Sequence, residues 1–186
     1  MSEIKKQKIA VFIDGSNLYF KLRSLKLDNL SRFDYRKFVE WLSGDREIIF
    51  IGYYIGVVRA KLSDVAGQKL RRAQINLFNF LGSNAQRITV RRGYLMNSGG
   101  AYHEKGVDVQ IATDLLVGAY ENLYDFALVI SSDTDLLPAI SKVKSLGKEV
   151  EYVGFGHQPS LAMQTGATIS KLILKEELEA FIFKEK

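Results

Sequence analysis

The stretch KKQKIAVFIDGSN, from Lys5 to Asn17, contains an unbroken apolar run, Ile9 to Ile13, that stops on Asp14. A strand that is apolar at every position is one covered on both faces, as in a parallel sheet with helices on either side. Gly15 then allows a sharp turn, and Ser16 or Asn17 can start a helix. The strand therefore delivers one carboxylate to the carboxyl edge of a sheet. Asp14 and Ser16 can be read as turn and cap residues, or Asp14 as the first member of a site.

The rest of the chain repeats the alternation. Helices are expected over Asn17–Leu25, Asp34–Leu42 with Asp34 as N-cap, Ser63–Leu81, Val107–Tyr120, Leu136–Leu146 ended by Gly147, and Glu176–Phe183. Strands are expected over Glu47–Val58, Arg87–Leu95, Phe126–Ile130 and Glu149–Val153, and Asn97–Lys105 reads as a glycine-containing loop. This is an α/β pattern with a mostly parallel central sheet and helices packed on both faces. Residues 1–186 form a single domain on this reading, with no repeat or linker. In such folds ligands sit beyond the carboxyl ends of the strands, where strand order reverses. That rule puts Asp14, His103, Asp133 and His157 on one functional edge.

Composition narrows the chemistry. The chain has no cysteine and two histidines, which removes disulfides, thiolate zinc sites and cysteine nucleophiles. A hard ion bound by oxygen, Mg²⁺ or Mn²⁺, remains. A net charge of +5 permits nucleic-acid binding without requiring it. No apolar run approaches the ~20 residues of a membrane helix. The charged start MSEIKKQK has no signal-peptide pattern, so a cytoplasmic, membrane-free protein is expected.

Two further stretches carry acids. In EKGVDVQIATDLL, Asp108 shares a helical face with Ile111, Ala112, Leu115 and Ala119 and so heads the inward stripe. A favourable helix dipole explains an acid in the first turn but not its choice of face. Asp114 lies about 240° further round and is expected to be a solvated surface residue. In SSDTDLLPAI, Ser131 to Asp135 follow the second fully apolar strand. They can cap the next helix, whose first turn accepts Pro138, or hold a metal and position water. Acids at one crevice repel each other unless cations are present.

Taken in order, VFIDGSN, KGVDVQIATDLL and LVISSDTDLLPAISKVKSLGKEV resemble the NYN domain family, the PIN-like nuclease group, and its LabA-like branch in particular. The resemblance runs from about Lys8 to Gly156. It implies a three-layer α/β/α sandwich with the first and fourth strands adjacent, and a metal-dependent ribonuclease. By motif it implies Asp14, Asp108, Asp133 and Asp135 as the acidic, metal-binding set, with Asn17 orienting a ligand or water and Lys105 binding phosphate. Many relatives have glycine where this chain has Ser132. The chemistry expected is hydrolysis of a phosphodiester by water activated on one or two Mg²⁺ or Mn²⁺ ions.

Arg59, Lys61, Arg91, Arg92 and Lys105 stand near the edge and could hold a nucleic-acid backbone. Lys69, Arg71 and Arg72 on the long helix read first as a solvated face. Tyr94 and Tyr102 could stack on bases, though packing explains Tyr94 as well. A metal-free alternative would use His103 and His157 as acid and base. Haloacid-dehalogenase-like phosphatases want an aspartate where this chain has Ser16, and receiver domains need their acceptor on another strand. From a different class, a catalytically silent RNA-binding or regulatory module would keep the same edge. Single-stranded RNA is the expected partner. The aromatic tail, Phe181 and Phe183, offers a homodimer contact or, preferably, closes on the chain's own core.

Overall fold

The computed structural model describes residues 6–27, 30, 33–98 and 101–183, with the side chains of 96–98 and 101–104 outside that description. The first strand, β1, spans Lys8–Asp14, and α1 (Gly15–Ser24) begins at the next residue. Then come α2 (Tyr35–Ser43), β2 (Glu47–Val57), α3 (Val65–Leu81), β3 (Thr89–Ser98), β4 (Ala101–Lys105) and α4 (Val107–Tyr120). The chain continues with β5 (Phe126–Ile130), a 3₁₀ turn at Thr134–Leu136, α5 (Leu137–Ser145), β6 (Glu149–Phe155), α6 (Leu161–Gly166), β7 (Ile169–Ile173) and α7 (Lys175–Glu179).

The seven strands form one sheet in the order β4-β3-β2-β1-β5-β6-β7. All neighbours are parallel except β3 and β4. The chain steps outward from β1 through β2 and β3, returns to pair β5 beside β1, and steps outward the other way. Strand order therefore reverses between β1 and β5, which is where α/β folds open a crevice.

Alternation along β1 divides the core between two layers. Ile9, Val11 and Ile13 pack with Leu18 and Leu22 of α1 and Phe38 and Leu42 of α2. Ala10 and Phe12 pack on the opposite face with Ile111 and Leu115 of α4 and Ile140 and Val143 of α5. The result is the expected α/β/α sandwich. Gly15 is required by close approach: a Cβ there would overlap the Tyr53 ring and come within 2.9 Å of the Tyr54 carbonyl oxygen. Only glycine lets α1 start directly on Asp14 and lie against β2.

Several elements differ from the sequence reading. Within the stretch read as the Asn97–Lys105 loop, Asn97 and Ser98 end β3 and Ala101–Lys105 form β4, antiparallel to it with Tyr94 opposite Lys105 and Ser98 opposite Ala101. An edge strand is paired on one side only and need not be apolar, so its sequence looks like a loop. Strand β7, the opposite edge, is obscured for the same reason, burying Ile173 but leaving Ile169 45% exposed, while the six-residue helix α6 is too short to show a helical period. Helix α3 packs through its C-terminal end: Leu81 is buried, whereas Leu70 of the same stripe is 53% exposed. The closing helix is only Lys175–Glu179, after which Phe181 is buried against Phe33, Phe38 and Trp41. Among the described residues no helix is long and apolar enough to cross a membrane.

Candidate active site at the β1–β5 crevice

Asp14 is the last residue of β1 and the N-cap of α1. Its Oδ1 accepts the backbone N–H of Asn17 at 3.0 Å, and its Oδ2 accepts the Ser131 hydroxyl at 2.9 Å. Ser131 directly follows β5 and is 2% exposed. The same hydroxyl oxygen accepts the backbone N–H of Asp133 at 3.1 Å. One buried hydroxyl thus ties the Asp14 carboxylate to the Asp133 backbone across the switch point.

The neighbouring turn is fixed from several sides. Asp133 Oδ1 accepts the Asp135 N–H at 3.0 Å and so caps the 3₁₀ turn. Asn17 Oδ1 accepts the Ser132 N–H at 3.3 Å. The hydroxyls of Ser132 and Tyr152 are hydrogen-bonded at 3.2 Å, and Tyr152 also accepts the Ser160 N–H at 3.3 Å. The cap reading of the two motifs is realised, with Asp14 capping α1 and Asp133 capping the 3₁₀ turn, and the same bonds bring the two motifs together at the strand ends. Asp135 itself is exposed.

Asp108 is half-buried in the first turn of α4. Gly106 precedes this helix with φ +76°, a left-handed conformation that favours glycine and lets the hairpin arm turn directly into α4. Val107 and Ile111 share a core cluster with Leu136, so the 3₁₀ turn carrying Asp135 rests against α4. Among the described residues, no three carboxylates or histidines are gathered into a closed metal cage. The donor set nevertheless suits a hard ion. Mg²⁺ keeps several waters and takes about one or two direct carboxylates together with substrate phosphates. Asp14 and Asp133, whose carboxylate and backbone N–H respectively bond the Ser131 hydroxyl, could supply that number.

Asp114 corrects the expectation of a solvated surface acid. Its Oδ2 accepts the Tyr54 hydroxyl at 2.8 Å and is ion-paired with Arg91 Nε at 3.2 Å. Burial, then the bond to Asp114 and its charge, push the Tyr54 phenol well above its ordinary pKa, with Arg91 opposing. Helical phase turns Asp114 off the inward stripe as predicted, but the long Tyr54 and Arg91 side chains reach that flank. Arg91 is thereby committed to an ion pair.

The cations expected to meet substrate follow β2 (Arg59 and Lys61), stand on β3 (Arg92) and end β4 (Lys105). Arg59, Lys61, Arg92 and Lys105 are exposed. Arg59 stacks over Tyr94 at 5.4 Å and Arg92 over Phe78 of α3 at 5.0 Å. His157 bonds Ser24 Oγ through Nε2 at 2.7 Å; partial burial and the nearby charge of Lys21 hold its pKa below the usual value. The side chains of Tyr102 and His103 lie outside the described residues.

A solved structure of a Vibrio parahaemolyticus protein of unknown function matches with a TM-score of 0.63 and 18% identity, covering 98% of this chain and 100% of that one. At that identity the likeness speaks for the fold alone. No curated protein matches the sequence. The description of the NYN domain matches residues 8–172, taking in all three acidic motifs and the strands that carry them. With its sheet order, its reversal at β1–β5 and that match over most of its length, the chain belongs to the NYN domain family, a group of PIN-like nucleases.

Proposed function

We propose that this chain is a cytoplasmic, divalent-metal-dependent ribonuclease of the LabA-like branch that hydrolyses phosphodiester bonds of single-stranded RNA at the β1–β5 crevice. The observation that carries the proposal is the Ser131 hydroxyl, which joins the Asp14 carboxylate to the Asp133 backbone where strand order reverses. Asp14, Asp108 and Asp133 would hold Mg²⁺ or Mn²⁺, with Asp135 bound directly or through water. Such an ion supplies positive charge to the phosphate oxygens and makes water more acidic.

The remaining work falls to the chain's own side chains. The Asn17 side-chain carbonyl accepts the Ser132 N–H, and the other end of its amide is a donor for phosphate or water. Ser131 keeps the two strand ends in fixed register. Lys105, at the end of β4, with Arg59, Lys61 and Arg92 along the lip, attracts the polyanion. Crowded carboxylates alone repel RNA, so these cations set where the strand can approach.

The test is incubation of purified protein with labelled single-stranded RNA in Mn²⁺ and in EDTA. Cleavage in Mn²⁺ that is absent in EDTA and abolished by Asp14→Asn supports the proposal; undiminished cleavage by that variant, with its fold intact, refutes it. One observation favours a second reading, a silent RNA-binding module. The Asp14 carboxylate already caps α1 and anchors Ser131, a role it would keep without catalysis. Binding without products in Mn²⁺ identifies that module.

A further inference from the structure

Beyond the acids, β2 and β3 continue past the end of β1. Asp14 is level with Tyr54, Tyr54 with Arg91, and β3 runs on to Ser98. Tyr94 stands on this projecting ribbon and is 58% exposed. The Arg59 guanidinium lies over its ring, 5.4 Å from the centroid. A stacked guanidinium holds an aromatic ring in one orientation and adds positive charge beside it. More than half of the residue's surface is exposed, room for a planar group against the ring.

The surroundings select what that planar group is. Arg92, two residues earlier, shares Tyr94's face of the sheet, and Lys105 is its antiparallel partner. Helix α3 brings further charge to the same strand end. Gln74 bonds Val58 N–H and Gly56 O at 2.8 Å each, and Gln68 bonds Ala60 O and Lys61 O at 3.0 Å each. Arg71 lies three residues from both glutamines and so faces this loop with them. An exposed ring among cations is the combination that binds single strands, where bases stack and phosphates pair with basic groups. A duplex offers no free base face.

We infer that Tyr94, backed by Arg59, is a stacking platform for one unpaired nucleobase, placed several nucleotides from the acids along the strand. By strand spacing and rise, Tyr94 Cα lies about 14 Å from Asp14 Cα. The Tyr94 side chain leaves the sheet on the α3 side, whereas Asp14, two residues after Phe12, leaves on the α4 side. A bound strand therefore crosses the lip of the sheet between platform and crevice. This inference rests on the nuclease reading for its substrate class.

The experiment uses the full chain in EDTA with a single-stranded RNA carrying 2-aminopurine, whose fluorescence is quenched on stacking. The wild type quenches the probe. Tyr94→Ala loses the quench and binds roughly 5- to 150-fold more weakly. Tyr94→Phe retains both, and Arg59→Ala weakens both. Tyr94→Ala that binds and quenches as the wild type does overturns the platform. So does a wild type that cleaves RNA in Mn²⁺ yet shows no quench, which leaves the nuclease reading standing. A wild type that neither binds nor cleaves ends both.

Discussion

Replacing Ser131 with alanine isolates the bond on which the crevice depends. The residue is 2% exposed, so its hydroxyl has no ready substitute in bulk water. The substitution removes a bond to a carboxylate, at 2.9 Å, and strands the Asp133 N–H that the hydroxyl accepted at 3.1 Å. A hydrogen bond to a charged group contributes about 1.5–3 kcal/mol, and an unsatisfied buried donor adds to the loss. Asp133 is only half-buried and water can reach part of it, so the net cost is set at about 2–3 kcal/mol. For a domain of this size each kcal/mol lowers Tm by about 2–4 °C, giving a fall of roughly 4–12 °C. Urea unfolding should show the same loss with an unchanged m-value. A double-mutant cycle with Asp14→Asn, which keeps a good N-cap but removes the charge, should give a coupling of about 1–2 kcal/mol. A Tm shift below about 1 °C, or a coupling near zero, would refute the claim that Ser131 joins the two strand ends.

Three further outcomes are expected. Gly15→Ala forces a methyl into the Tyr53 ring and should cost about 1–3 kcal/mol or more, read by thermal melting; a neutral result would mean α1 can move off β2. Glu151→Ala removes the 2.9 Å ion pair of Arg46, which keeps its bonds to the Leu42 and Ser43 carbonyls, and should cost about 1.5–3 kcal/mol in urea unfolding. His157 has a folded pKa below its unfolded value near 6.5, so the unfolded chain binds more protons as pH drops. Its contribution is present in full above that value and is lost as pH falls through the window beneath it. His157→Gln should flatten the pH dependence of Tm there and leave it unchanged at pH 8.

The parts of the fold readable in the sequence are those whose burial is two-sided. β1 and β5 show as apolar runs because α1, α2, α4 and α5 cover them, and their abrupt ends place Asp14 and Asp133 at an edge. Asp34 was legible as a cap for a local reason: its carboxylate accepts Lys37 N–H within the same turn. What stayed hidden depends on pairing between distant segments. β4 and β7 are edge strands whose polar positions obscure them. The bridging role of Ser131 appears only once β1 and β5 are neighbours, although its place in SSDTD was the available signal. Asp114 was misread because helical phase describes one helix and carries no information about Tyr54 or Arg91 on adjacent strands. The exposure of Tyr94 belongs to the same class, since strand periodicity cannot say that β2 and β3 run on past the end of β1.

The central claim is that Asp14 and Asp133 act together on one divalent ion at the reversal of strand order. Mn²⁺ titration followed by the loss of the free-ion EPR signal tests it without requiring turnover. Saturable binding by the wild-type chain is expected, weakened more than about tenfold by either Asp14→Asn or Asp133→Asn while the fold is kept. Binding that is absent from the wild type, or equally strong in both variants, would contradict it.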